Sequence, residues 1–468
     1  MIVIPDDAVE RLLESANIIG KACEAAEIQQ WEVFATQDYG HSLDFEAGKI
    51  SMASGGGEGG FGLRVVENGR YGFAHLVDIS GATRAVAEAI GIARISPSID
   101  DFELPGNKSV TKVGGMLDKK VLNLGPDELL EQGDEVLAKV TELDSRACAT
   151  GGGIGISASA GAILTSSGIE DGGIKTSHGI GVHVSIDENN ELTSSYEGES
   201  SRSLLTDITS SVDKAVHWTQ MTRGKISGFE TEDCPVLMTS DGFSQIFSVV
   251  VPSAVKGERL ARGESFWSEK RDQIVMAEHL NLVDDSRMEG GLGSGSRDGE
   301  GVPSVTQTLV EKGRLVGQLW ATRDAAKQVA EGRVESASTT GSAARSGHTS
   351  PPGCSCGDLV LSSSNTCLQR DRLIEEMDSG FVIHSVMGAH TANPTSGDFS
   401  VTTSTILRVE GGQITGPLSQ AGFSGNLAKA LRGRVVLGKA GEKKGAYTTG
   451  TMHVPDVLMY GGLRINPA

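Results

Sequence analysis

The sequence predicts an α+β protein: an N-terminal half of mixed sheet and helix lobes, with a hint of duplication, followed by a β-rich C-terminal domain. Three observations carry this. The 468 residues include 62 glycines and only 4% aromatics, and glycine weakens helices while supplying turns and bulges. Short apolar segments repeatedly flank turn formers, at Asn68-Gly69, Lys312-Gly313 and Gly411-Gly412, as β-hairpins do. Helical spacing is confined to a few stretches, while 38% hydrophobic residues suffice for proper cores. The length exceeds what one core supports. Irregular polar stretches divide the chain into a lobe at 1–113, a second at 114–224 and a C-terminal domain at 225–468.

The first element is an amphipathic helix, because Val9, Leu12, Leu13, Ala16, Ile19 and Cys23 share one face and Asp6-Asp7 suit the positive end of its dipole. Strands at 31–37 and 41–53 lead to the glycine run SGGGEGG, read as a flexible turn. GFGLRVV and YGFAHLV form a hairpin about Asn68-Gly69, and a helix follows from Ser80 to Ile95. After a polar linker at 97–115, PDELLEQGDEVLAKVTEL opens the second lobe as a helix, with strands at 151–164 and 179–186 and a helix over 203–222. GFGLRV at 60–65, GIGVHV at 179–184 and GIGISA at 153–158 echo one another, which is the duplication signal. The segment 223–235 crosses to the last domain, where a short strand precedes a helix over 241–258 bent at Pro252. Strands then dominate: 304–310, 314–320, 357–363, 380–387, 401–410 and 413–419, with a short helix at 426–434 before a terminal strand.

A formal net charge of -20, with no basic cluster to offset it, disfavours nucleic-acid binding. No run reaches the ~20 apolar residues of a membrane span, and the N-terminus turns acidic at once, so a soluble cytoplasmic protein is expected. Six scattered cysteines do not make a disulfide framework and are read as free thiols.

Familiar catalytic patterns are missing. No helical HExxH occurs, and the pairs His178/His183 and His384/His390 are poor chelates at strand spacing. The glycine runs lack the ending of a phosphate loop. The best metal candidate by residue type is His348, Cys354, Cys356 and Cys367, although Cys-x-Cys is looser than the paired spacing of structural zinc sites. The loop GAHTANPTSGDFS, from Gly388 to Ser400, concentrates His390, Asn393, Asp398 and Ser400 between two strands. Those groups either face a site or satisfy the loop's own backbone through Asx-type bonds.

Taken in order, GFGLRVVENGRYGFAHLVDIS, SRDGEGVPSVTQTLVEKGRLVGQLW, GAHTANPTSGDFS and ILRVEGGQITGPLSQAGFSGNL resemble the blocks of the TldD/PmbA (TldD/TldE) family, metallopeptidase-related proteins once named modulators of DNA gyrase. The resemblance spans nearly the whole chain and places GAHTANPTSGDFS near the family's cleft, with His390, Asn393, Asp398 and Ser400 as substrate-binding candidates. The family's catalytic subunits carry HExxxH on a helix and a distant cysteine as zinc ligands. Here the matching positions hold Ser248, Val249 and Ser253, with Leu437 near the cysteine. The resemblance therefore implies the metal-free PmbA/TldE kind: no catalytic residue and no metal in this chain, zinc in a TldD-like HExxxH-bearing partner, and unfolded peptides as substrate. It also implies a homodimer when the chain is alone. The alternatives by class are an independent metal-dependent hydrolase using the His348/Cys354/Cys356/Cys367 cluster, and a regulatory adaptor without peptidase activity.

Overall fold

A computed structural model describes residues 4–224, 233–418, 420–439, 446–447 and 451–467. The N-terminal half runs α1 (Ala8–Ala25), β1 (Gln30–Glu46), β2 (Lys49–Glu67), β3 (Arg70–Leu76) and α2 (Ala82–Ile95), then a short α3 (Lys119–Asn123). The succession recurs as α4 (Pro126–Leu143), β4 (Ala147–Thr165), β5 (Glu170–Glu188), β6 (Glu191–Ser201) and α5 (Ser210–Met221). Each unit is thus helix, three-stranded meander, helix. GFGLRV lies on β2 and GIGVHV on β5, the same place in the two units, whereas GIGISA lies on β4 and pairs with GIGVHV across one hairpin.

The units join edge to edge. β1 pairs antiparallel with β4 from Glu32↔Thr165 to Asp44↔Gly153, so residues 30–76 and 147–201 form one sheet, in the order β6-β5-β4-β1-β2-β3. Each unit's helices cover their own strands, and the two cores trade residues across the seam. Ala160 and Ala162 of β4 pack in the core of α1 and α2, while Leu43 and Phe45 of β1 pack in the core of α4 and α5.

The glycine run is the main departure from the sequence reading. Residues 55–60 are not a turn but the middle of β2, paired with Thr36 to His41 of β1. The turn sits earlier, at Ala47 and Gly48, where φ is 50° and 75°. Glycine is required at Gly59 because a Cβ there would lie 2.5 Å from the Thr36 carbonyl oxygen, closer than any side chain tolerates. The helix expected from residue 203 begins only at Ser210, because the Asp207 carboxylate accepts from the backbone N–H groups of Thr209 and Ser210 and holds a turn there.

The C-terminal half contains β7 (Val236–Met238), α6 (Ser240–Ala254), α7 (Gly257–Ala261), β8 (Leu280–Asp285), β9 (Thr306–Glu311), β10 (Arg314–Leu315) and α8 (Thr322–Ala330). It continues with β11 (Ala343–Ala344), β12 (Gly353–Cys354), β13 (Leu359–Ser363), α9 (Arg370–Met377), β14 (Gly380–Met387), β15 (Asp398–Glu410), β16 (Gln413–Pro417), β17 (Ala421–Asn426) and α10 (Leu427–Arg432). The last strands are β18 (Val435–Leu437), β19 (Ala446–Tyr447), β20 (Met452–His453), β21 (Val457–Met459) and β22 (Leu463–Pro467). One sheet has the order β18-β21-β7-β14-β15-β17-β22 with β16 beside β15, and a smaller one the order β10-β9-β8-β13-β20. β19 instead extends the N-terminal sheet at β6.

Strands from both C-terminal sheets and α6 share one large core, in which Phe243, Phe247, Val250 and Val251 are fully buried. The helix expected over 241–258 is two helices: α6 keeps Pro252 in its last turn, and Gly257 opens α7 against the Trp320 ring. The strand expected over 314–320 is only β10, and of the crossing at 223–235 the part 225–232 lies outside the described residues.

Candidate functional site around helix α6

Helix α6 starts at Thr239, whose hydroxyl accepts from the Gly242 N–H at 3.3 Å as an N-cap. Gly242 is the close-approach point: a Cβ would meet the His384 carbonyl oxygen of β14 at 2.8 Å, so the first turn lies directly on the sheet. Further along, Ser248 is exposed and donates to the Gln245 carbonyl, Val249 packs against the core, and Leu437 is 2% exposed in the core. Two hydroxyls and two aliphatic side chains do not fit a zinc ion, which takes thiolate, imidazole or carboxylate ligands. These positions supply neither a metal ligand nor a general base.

The loop Gly388–Ser400 packs beside this helix through its 3-10 turn at Ala389–Thr391. Gly388 has φ 86°, which admits the sharp exit from β14. His390, Asn393, Asp398 and Ser400 are all exposed. Asn393 closes an Asx turn, accepting from Thr395 and Ser396 N–H at 2.9 and 3.3 Å. Asp398 accepts from the Asn426 amide at 2.7 Å, and the hydrogen bonds from Ser396 and Asn426 hold its pKa below the usual carboxylate range. Two of the four groups thus brace the loop, while His390 and Ser400 stand on its surface.

His348, Cys354, Cys356 and Cys367 do not converge. Cys354 lies in the β11–β12 pair opposite Ala343, His348 sits edge-on to His75 at 6.4 Å beside β2, and Cys367 bonds the Asn365 carbonyl. Burial pushes the Cys354 thiol up to about 12 and Cys356 well above its ordinary value, so neither offers a thiolate.

A different set meets at the start of α6. Among the described residues, one group of three His, Cys, Asp or Glu side chains has its ligand atoms all within 4.8 Å: Glu197 of β6, Asp241 of α6 and His384 of β14. His384 Nε2 lies 2.5 Å from Glu197 Oε1, and its Nδ1 lies 2.8 Å from the Thr239 hydroxyl. The Trp218 ring of α5 stacks on the imidazole at 3.9 Å, and Arg370, paired with Asp456 at 2.7 and 3.1 Å, lies over the Trp218 ring at 5.7 Å. Burial, then the Glu197 charge, raises the Asp241 pKa. Sequence reading missed this set because its members come from three distant segments and share no spacing.

The open face of the N-terminal sheet is the other feature with functional content. Alternation puts Trp31, Val33 and Ala35 of β1 under the helices and leaves Thr36, Asp38, Gly40, Ser42 and Asp44 on the opposite face. Register extends that face through Gly153, Gly155, Ser157 and Ser159 on β4, Ser177, Gly179 and Gly181 on β5, and Ser54, Gly56 and Gly60 on β2. The face is open around Ser54, Gly56 and Ser157, while the His348 ring covers Gly60 and the Tyr196 side chain covers Gly181. On one edge, β3 covers β2 only from Phe61 to Glu67, so within the described residues its stretch 49–60 has no paired strand on that side.

Residues 31–93 match the PmbA/TldA metallopeptidase domain 1 and residues 231–461 match the PmbA/TldA metallopeptidase C-terminal domain. The chain is 23% identical over 476 residues to metalloprotease PmbA of Escherichia coli O157:H7, covering 98% of this chain and 96% of that protein. It is 24% identical over 409 residues to an uncharacterised protein of Methanocaldococcus jannaschii, covering 87% and 91%. The crystal structure of TldE from Thermococcus kodakarensis superposes with a TM-score of 0.84 at 21% identity, covering 96% of this chain and 99% of that one. Fold and sequence together thus define a protein of the metallopeptidase class. Within that class, the chain belongs to the TldD/PmbA family.

Proposed function

We propose that this chain is the non-catalytic, PmbA/TldE-type subunit of a two-subunit zinc metallopeptidase that degrades unfolded peptides. The observation that carries the reading is the contrast on α6: the helix is seated on β14 with its cap and core contacts intact, yet presents Ser248, Val249 and Ser253 where the family's catalytic subunits place HExxxH. A scaffold kept without its chemistry serves a neighbour that has it.

In this reading the partner holds the zinc and the base, and this chain completes the chamber. The glycine- and serine-rich face lets an extended substrate backbone approach closely, and main-chain pairing gives binding with little side-chain selectivity. His390 and Ser400, on the loop beside α6, contact the substrate, while Asn393 and Asp398 set the loop's shape. Without its partner the chain pairs with a second copy, since related subunits substitute for one another in a two-fold arrangement.

The direct test is co-expression with an HExxxH-bearing paralogue from the same organism. A stoichiometric complex that survives size exclusion supports the reading, and two chains that elute separately at micromolar concentration count against it. A chain that stays monomeric and makes no complex would leave an adaptor role as the better account.

A further inference from the structure

We propose that Glu197, Asp241 and His384 form a binding site for a divalent transition-metal ion that clamps the N-terminal sheet to the C-terminal one. The three side chains arrive from β6, α6 and β14, and their donor atoms lie within 4.8 Å of one another. Glu197 and His384 are each 2% exposed, which is too deep for a solvated charge cluster. Glu197 has His384 as its partner, but no hydrogen bond or ion pair reaches the Asp241 carboxylate among the described residues. Glu197 is buried and Asp241 half-buried beside it, and the Asp241 carboxylate has no direct cationic partner among the described residues.

The cations nearby do not supply it. Arg370 is bound bidentately by Asp456, and Lys214 of α5 acts on Asp241 only at a distance. His217, also on α5, has its pKa lowered by burial and then by Arg370, which disfavours its cationic form. A dication placed between one imidazole and two carboxylates answers the deficit. The donor set of nitrogen and oxygen suits zinc or manganese, whereas magnesium prefers octahedral oxygen and keeps its waters.

The surroundings of His384 match what a metal-binding imidazole needs. Its Nδ1 is engaged by Thr239 at 2.8 Å, leaving Nε2 as the ligand atom, and Trp218 fixes the ring plane. Ligands on a tetrahedral zinc stand about 3.3 Å apart at bond lengths near 2.0–2.1 Å, so the direct Nε2 to Oε1 contact opens by about an ångström on loading. Trp218 covers the imidazole of the site, and ligands drawn from three elements hold the ion for structure. It is separate from the family's helix positions at Ser248 and Ser253, and it does not rest on the partner reading.

The test is titration of zinc into the full-length chain after stripping with chelator, followed by calorimetry, metal analysis and thermal melting. One zinc per chain is expected, with a higher melting midpoint for the loaded form and no response to magnesium. Asp241→Asn is expected to weaken zinc binding by at least about tenfold, since losing even an outer-shell partner costs that much. His384→Gln is expected to do the same, and Asp241→Asn covers the case in which His384→Gln does not fold. The Cys354→Ser/Cys356→Ser double variant is expected to bind like the parent. The proposal is overturned if the stripped chain binds no zinc, if Asp241→Asn binds as well as the parent, or if stripped and loaded chains melt together.

Discussion

Arg64 on β2 and Glu300 in the loop before β9 meet at 2.7 Å although they lie 236 positions apart, both about 1% exposed. The same guanidinium is bound by Glu32 of β1, and Arg345 reaches Glu32 from the other side, so four buried charges alternate across the seam between the N-terminal sheet and the C-terminal half. Removing one member strands the others. Arg64→Met is expected to destabilise the chain by roughly 3–5 kcal/mol, because the charges it leaves are buried and uncompensated. Denaturant unfolding checks this, and a loss below about 1 kcal/mol would mean that the network is hydrated.

Asp284 on β8 makes the stability depend on pH. Burial, with the charges of Asp358 and Asp285 adding, pushes its carboxyl up to about 7. The folded value lies above the unfolded one, so the stability is fully present below about pH 4 and is lost as pH rises through 7. Asp284→Asn keeps the acceptor for the Gly357 N–H and donates to Ser286 instead of accepting from it. The variant is expected to match the parent near pH 4 and to exceed it by roughly 2–4 kcal/mol at pH 8, at about 1.4 kcal/mol per unit. Equal melting midpoints at pH 8 would show that the charge is well solvated.

Two glycines of β2 separate folding from substrate contact. Gly59→Ala puts a Cβ 2.5 Å from the Thr36 oxygen and is expected to destabilise the β1–β2 pair. Gly56, three positions earlier on the open face, has nothing within 4 Å of its Cβ position. Gly56→Leu is expected to melt like the parent and to slow cleavage by the two-subunit complex, because it fills the surface along which substrate lies. Unchanged cleavage would remove this face from the chamber.

The loop beside α6 gives a matching pair. His390→Ala removes an exposed ring and is expected to change stability by no more than about 0.5 kcal/mol while lowering cleavage by the complex. Asp398→Ala loses the bond from Asn426 and is expected to lower both, without changing the zinc content of the partner. If neither substitution alters cleavage, the loop does not contact substrate.

Much of the N-terminal half was legible in the sequence because local patterns fixed it: the apolar stripe from Val9 to Cys23, the hairpin at Asn68-Gly69, and the echo between 60–65 and 179–184 that marks two equivalent strands. The glycine run at 55–60 was not legible as strand, since its conformation comes from the partner β1 and not from its own propensity. The candidate loop was legible as a turn, and Asn393 and Asp398 do the bracing that its Asx chemistry allows. The Glu197, Asp241 and His384 set was out of reach, because only the packing of β6 against α6 and β14 brings it together.

Peptidase activity on an unstructured peptide, assayed with this chain alone, with its HExxxH-bearing partner alone and with both, each with and without chelator, tests the central claim most directly. The account predicts no cleavage by this chain alone, chelator-sensitive cleavage by the pair, and loss of that cleavage when the glutamate of the partner's motif is replaced. Chelator-sensitive cleavage by this chain alone, at a rate the partner does not change, would contradict it.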